Sequence, residues 1–170
     1  MLALAAAFLV TAGGGLSHGL LGARAEVRWG PVGVFGALGF PQFAYGSYDG
    51  AGVNPAGGIR LYATPVSRGS WSLSTFLSAQ VGKFETTIRN DAGCCEWSQE
   101  NRTSYSATVG LDARNGPVAV TFGIGPAFTQ YRRTSQRGGG AIQDSGLQTS
   151  GGLGTEGFIP DFELAVGFAF

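Results

Sequence analysis

Few residues in this chain have the type and spacing to do chemistry. The single histidine, His18, follows Ser17, and a Ser-His pair can serve nucleophilic catalysis when a third group orients the imidazole. No acid stands at a fixed offset from this pair, and the segment Leu16 to Gly19 has the character of a turn, so Ser17 and His18 are expected to be turn residues and no catalytic residue is expected. Cys94 and Cys95 are adjacent within the polar stretch NDAGCCEWSQENR. With no CxxC spacing and no clustered histidine, a zinc site has no ligand set, and neither a metal nor a cofactor is expected. An oxidising cell surface would permit a vicinal disulfide between the two despite its strained geometry; the plainer reading is an incidental pair in a loop.

The remaining candidates are charges on alternating segments. Arg24, Arg28, Arg60 and Arg114 are positive, whereas Glu26, Asp112, Asp161 and Glu163 are negative. Together they would make either an ion path or a structural ion-pair core, and their balance of charge favours the core, because an uncompensated buried charge is costly.

The segments that must position them have the period of β-strands. From Phe162 onward, Phe162, Leu164, Val166, Phe168 and Phe170 alternate with Glu163, Ala165, Gly167 and Ala169. Similar alternation predicts strands over about Ala6 to Ser17, Leu21 to Trp29, Val32 to Phe43, Gly57 to Thr64, Trp71 to Glu85, Thr103 to Arg114 and Val118 to Tyr131. Residues 1–12 also look like a signal-peptide remnant, but they lack a basic leader, and an Ala-x-Ala cleavage at Ala23 to Ala25 would bisect a good strand. The preferred reading is therefore that they belong to the first strand of a single domain over residues 1–170.

Composition narrows the environment. Charged residues are 13%, aromatics 12%, and Gly 30 of 170, with Lys83 the only lysine and zero formal net charge. A nucleic-acid surface is not expected from this balance. Ordinary soluble surfaces carry more charge, and no uninterrupted apolar run is long enough for a membrane helix. A closed barrel is the other structure that can pair every backbone group in hydrocarbon.

Eight strands follow, joined alternately by short and long connections. The short ones are Gly30-Pro31, Ser67 to Ser70 and Asn115-Gly116; the long ones are about Ala44 to Ala56, Thr86 to Arg102 and Arg132 to Gly157. Periodicity alone does not separate a membrane barrel from a soluble lipocalin-like one with its apolar face inward. The polar face, mostly Gly, Ser, Thr and Ala with few charges, suits a crowded interior better than a water-facing wall. Trp29, Trp71 and Phe170 at one end of the apolar face, with Tyr105 towards the other, resemble interfacial girdles.

This pattern of strands, loops and terminus resembles the small OmpA/OmpX-like outer-membrane β-barrels across nearly the whole chain. The resemblance implies an all-β, eight-stranded antiparallel up-and-down barrel in the bacterial outer membrane, with periplasmic short turns and extracellular long loops. It implies that Phe162, Leu164, Val166, Phe168 and Phe170 form the C-terminal signal read by the barrel-assembly machinery. Outer-membrane lipid and lipopolysaccharide are the implied surroundings of a monomer, and an unknown extracellular ligand the implied partner. A non-enzymatic structural or surface-interaction role is expected, with a small-solute pore as the alternative and a lipid A-modifying enzyme behind it.

Overall fold

The computed structural model describes residues 6–40, 48–49, 53–89, 97–137, 140–144 and 157–170. Eight of its strands are the staves of a barrel: β1 (Ala6–Gly15), β2 (Leu20–Trp29), β3 (Val32–Gly39), β5 (Asn54–Tyr62), β7 (Trp71–Arg89), β8 (Trp97–Asn115), β9 (Val118–Arg137) and β11 (Gly157–Ala169). Short pieces supplement them: β4 (Tyr48–Asp49) and β6 (Val66–Arg68) pair with β7, and β10 (Gly140–Asp144) pairs with β9. Every stave is antiparallel to the next, and β11 pairs with both β9 and β1, so the sheet closes on itself and has no free edge along the staves. Among the described residues the only helical piece is a single 3-10 turn, Leu16–His18, between β1 and β2.

The first strand is indispensable to this closure. Val10 pairs with Ala25 on β2 and with Phe168 on β11, so Ala6–Gly15 joins the two ends of the sheet.

Two connections are tight hairpins with the same chemistry. Gly30-Pro31 links Trp29 to Val32, and Gly116-Pro117 links Asn115 to Val118. The glycines have φ of 57° and 58°. Proline then fixes a negative φ at the second position, the order that a type II′ turn requires. The second turn lies one residue later than the expected Asn115-Gly116, because Asn115 is still paired with Val118.

Several elements exceed their sequence-based bounds. β5 begins at Asn54, inside the expected loop Ala44 to Ala56; its Pro55 is tolerated because pairing with β7 starts only at Ala56. β7 and β8 continue their ladder from Lys83↔Thr103 to Arg89↔Trp97, inside the expected loop Thr86 to Arg102. β9 runs to Arg137 and folds back as β10, so the expected loop Arg132 to Gly157 carries a paired hairpin. Cys94 and Cys95 lie outside the described residues.

Burial settles which face is out. Val34, Leu61, Leu77, Val109, Phe122, Leu164 and Phe168 are exposed, whereas their neighbours Gly33, Arg60, Ser78, Thr108, Thr121, Glu163 and Gly167 are buried. The apolar face points outward around the whole barrel, the opposite of a lipocalin. Trp71 and Val81 bound this face on β7; ten residue steps at ~3.3 Å and a tilt of ~40° span about 25 Å, the height of a hydrocarbon-facing band. Trp29, Trp71 and Phe170 stand exposed at the short-turn end and Tyr105 towards the other.

Candidate functional site

The lumen divides into three layers, built by side chains that the strand pleat turns inward. At its centre lie Arg24 and Glu26 from β2, Arg60 from β5 and Glu163 from β11, all with fully buried side chains. Glu163 is the hub. Its Oε1 accepts from Arg24 Nη1 at 2.6 Å, and its Oε2 accepts from Arg60 Nη2. Glu26 sits farther from the same arginines, at 3.8 Å from Arg24 and 3.9 Å from Arg60, and accepts instead from the Tyr62 hydroxyl at 2.5 Å.

Aromatic rings complete this layer. The Arg24 and Arg60 guanidinium carbons lie 5.3 and 5.2 Å from the Phe35 ring centroid, and Arg60 lies 4.2 Å from that of Phe76. Cation-π contact in a desolvated site adds to the carboxylate pairing. Space for Phe76 comes from the facing strand, where a Cβ on Gly110 would lie 2.7 Å from Phe76 Cε1. Two positive and two negative groups make the layer electrically neutral.

On the long-loop side, the turn between β1 and β2 folds into the barrel instead of projecting from it. Leu16, Ser17 and His18 are all buried. Asp161 anchors this turn: one carboxylate oxygen accepts from the Leu16 backbone N–H at 3.2 Å, the other from Gln80 Nε2 at 2.7 Å and Ser106 Oγ at 2.8 Å. The balance of charges in the sequence predicts an arginine partner for Asp161; among the described residues its partners are neutral donors instead, because the β1–β2 turn comes down onto it. Three hydrogen bonds are a sufficient alternative for a buried carboxylate.

Ser17 and His18 are thus turn residues, but not surface ones. Ser17 Oγ lies 2.9 Å from His18 Nδ1, and Thr11 Oγ1 lies 2.9 Å from His18 Nε2. Both ring nitrogens are engaged by hydroxyls, and neither residue has any exposed surface through which a substrate could reach it.

The third layer, at the short-turn end, gathers Arg28, Asp112 and Arg114. Arg114 Nε donates to Asp112 Oδ2 at 2.8 Å, and Arg28 Nη1 lies 3.7 Å from the same oxygen. The structure therefore brings the eight luminal charges into two separate clusters and one hydrogen-bonded carboxylate, not one network. Sequence reasoning misses Phe35, Tyr62, Phe76, Gln80 and Ser106, although each falls on the same alternation parity as the charged residues of its strand or its neighbour.

A closed eight-stranded barrel with an apolar exterior and a filled polar interior is the architecture of small outer-membrane proteins. In agreement, the fold is similar to that of a major outer membrane protein from Thermus thermophilus, with a TM-score of 0.57, covering 98% of this chain and 100% of that one. Sequence identity between the two is 15%, so the likeness is one of fold. No protein-family model matches the chain, and no curated protein does.

Proposed function

We propose that the protein is an integral outer-membrane barrel of the OmpA/OmpX-like kind, non-enzymatic and non-conducting, that acts through its long-loop side. On this reading the short turns face the periplasm and the long connections face outward, as in other outer-membrane barrels. β7, β8 and β9, of 19, 19 and 20 residues, are about twice as long as the 10-residue β2. At ~3.3 Å per residue and a tilt of ~40°, a 19-residue strand rises nearly 50 Å, well beyond a ~25 Å apolar band. A sheet raised above the bilayer on that side is a platform for contacts with a surface ligand. Lipid and lipopolysaccharide surround the monomeric barrel, and the C-terminal residues Phe162, Leu164, Val166, Phe168 and Phe170 present an outward apolar row suited to the assembly machinery.

The observation that carries the non-conducting reading is the central layer. Arg24, Glu26, Arg60 and Glu163 cross the lumen with no exposed side-chain surface. Purified protein in a planar bilayer should give no stable ohmic conductance. Reproducible single-channel steps that change with Glu26→Ala would favour the pore and overturn the closed barrel.

A further inference from the structure

We propose that the short-turn mouth of the barrel is a binding site for a small monocarboxylate. A cavity of about 290 Å³ opens there, lined by Arg28, Arg114, Ser72, Ser74 and Pro65 among others. That is near the lower end of the volumes that hold small ligands, about 300 Å³. The cavity is a cup open to water at the mouth of the barrel, and the strand wall separates it from lipid. The ligand is therefore a soluble one.

Charge selects its class. Two guanidiniums share one oxygen of Asp112, whose side chain is 1% exposed, while those of Arg28 and Arg114 remain 15% and 18% exposed. Two cations and one anion give the mouth a local excess of one positive charge, and the central layer, being neutral, does not offset it. One further carboxylate would balance it.

Geometry points the same way. Arg28 is held before any ligand arrives: its Nε donates to Gly30 O at 3.0 Å, and its guanidinium carbon lies 3.9 Å from the Tyr62 ring centroid. Preorganisation of this kind lowers the ordering cost of binding. Arg114 spends its Nε on Asp112 and its Nη2 is buried, so a ligand meets only the part of its guanidinium that remains exposed. The partly exposed guanidiniums of Arg28 and Arg114 suit a carboxylate oxygen, and the Ser72 and Ser74 side chains in the lining bring hydroxyl donors. Apart from Tyr62, whose hydroxyl donates to Glu26, none of these residues belongs to the central ion-pair layer.

The test is nuclear magnetic resonance of the intact barrel in detergent with nitrogen-15-labelled arginine, following the side-chain Nε–H signals. Sodium acetate is titrated against sodium chloride at constant ionic strength, with Arg28→Lys and Arg114→Lys assigning the signals. The expected result is a saturable acetate shift at Arg28 and Arg114, absent with chloride and absent at Arg24 and Arg60. Arg114→Gln should weaken it roughly tenfold or more, the loss expected for one charge-assisted hydrogen bond. Equal responses to chloride and acetate, or no saturation in the wild-type protein, would overturn the proposal whether or not the variants fold. Inorganic phosphate binding in place of acetate would overturn the assignment to a monocarboxylate.

Discussion

Two adjacent positions on β8 test the barrel's polarity with the least ambiguity. Val109 is 58% exposed on the outer face and pairs with Leu77 and Ile124, whereas Thr108 is 0% exposed and faces the lumen. Leu77 is six residues along β7 from Trp71, which stands at the short-turn edge of the apolar band. At ~3.3 Å per residue and a tilt of ~40°, Val109 lies about 15 Å from that edge, close to the midplane of a ~25 Å band. Val109→Arg should therefore cost roughly 2 to 4 kcal/mol, the penalty for a cation on the lipid face at that depth. Thr108→Val preserves shape, and because Thr108 Oγ1 has no hydrogen-bond partner, the substitution sacrifices none. Its expected effect is below about 1 kcal/mol, and it is free to be stabilising.

The assay is equilibrium unfolding of the barrel in lipid vesicles by urea, with the fraction folded read from the faster-migrating unboiled band on a denaturing gel. Both variants are compared with wild type at the same lipid composition. Equal effects, or a larger loss from Thr108→Val, would refute the assignment of faces. Circular dichroism on the same samples should show a β spectrum with almost no helix.

Within the central layer, Glu163→Gln should destabilise by about 3 to 5 kcal/mol, because it strands two buried guanidiniums. Glu26→Gln should cost less, since its ion pairs are 3.8 and 3.9 Å long and Tyr62 remains a partner; gel-band melting temperature ranks the two. Gly110→Val should lower the same melting temperature, because even a Cβ there meets both the Phe122 carbonyl oxygen and the Phe76 ring. Combining it with Phe76→Ala should recover part of the loss, and full additivity of the two would exclude the clash. Replacing residues 145–156 by a short Gly/Ser linker should leave the folded band unchanged and abolish any binding by the long-loop side.

The staves are legible in the sequence because the outer face and the lumen of the barrel make opposite demands on alternate residues, as with Leu77 beside Ser78 or Leu164 beside Glu163. That demand ends where the apolar outer face ends. Beyond Lys83 and Thr103 the apolar alternation fades, yet the β7–β8 ladder runs on to Arg89 and Trp97, held by backbone pairing that leaves no side-chain signature. The same reason hides the β9–β10 hairpin within a stretch rich in Gly, Ser and Gln. The inward turn is illegible for a different reason. Leu16–His18 has the composition of a surface turn, and the group that draws it inside, Asp161, is 145 residues away. Phe35 and Phe76 show the converse: their parity places them inwards, but an aromatic residue among serines, as Phe76 is between Ser74 and Ser78, gives no hint that it lies against an arginine.

Electrostatic balance explains why one carboxylate can differ from the other three without unbalancing the lumen. Asp161 carries its charge on three hydrogen bonds from neutral groups, so the compensating positive charge need not be beside it. That charge resides at the opposite mouth, where Arg28 and Arg114 share the single carboxylate of Asp112. The two ends of the lumen are consequently unlike. One holds a turn latched to an acid; the other is an open cup lined by Arg28 and Arg114. The two mouths thus offer unlike chemistry, and the short-turn mouth, where the guanidiniums of Arg28 and Arg114 are partly exposed, is the one at which the proposed carboxylate would meet them.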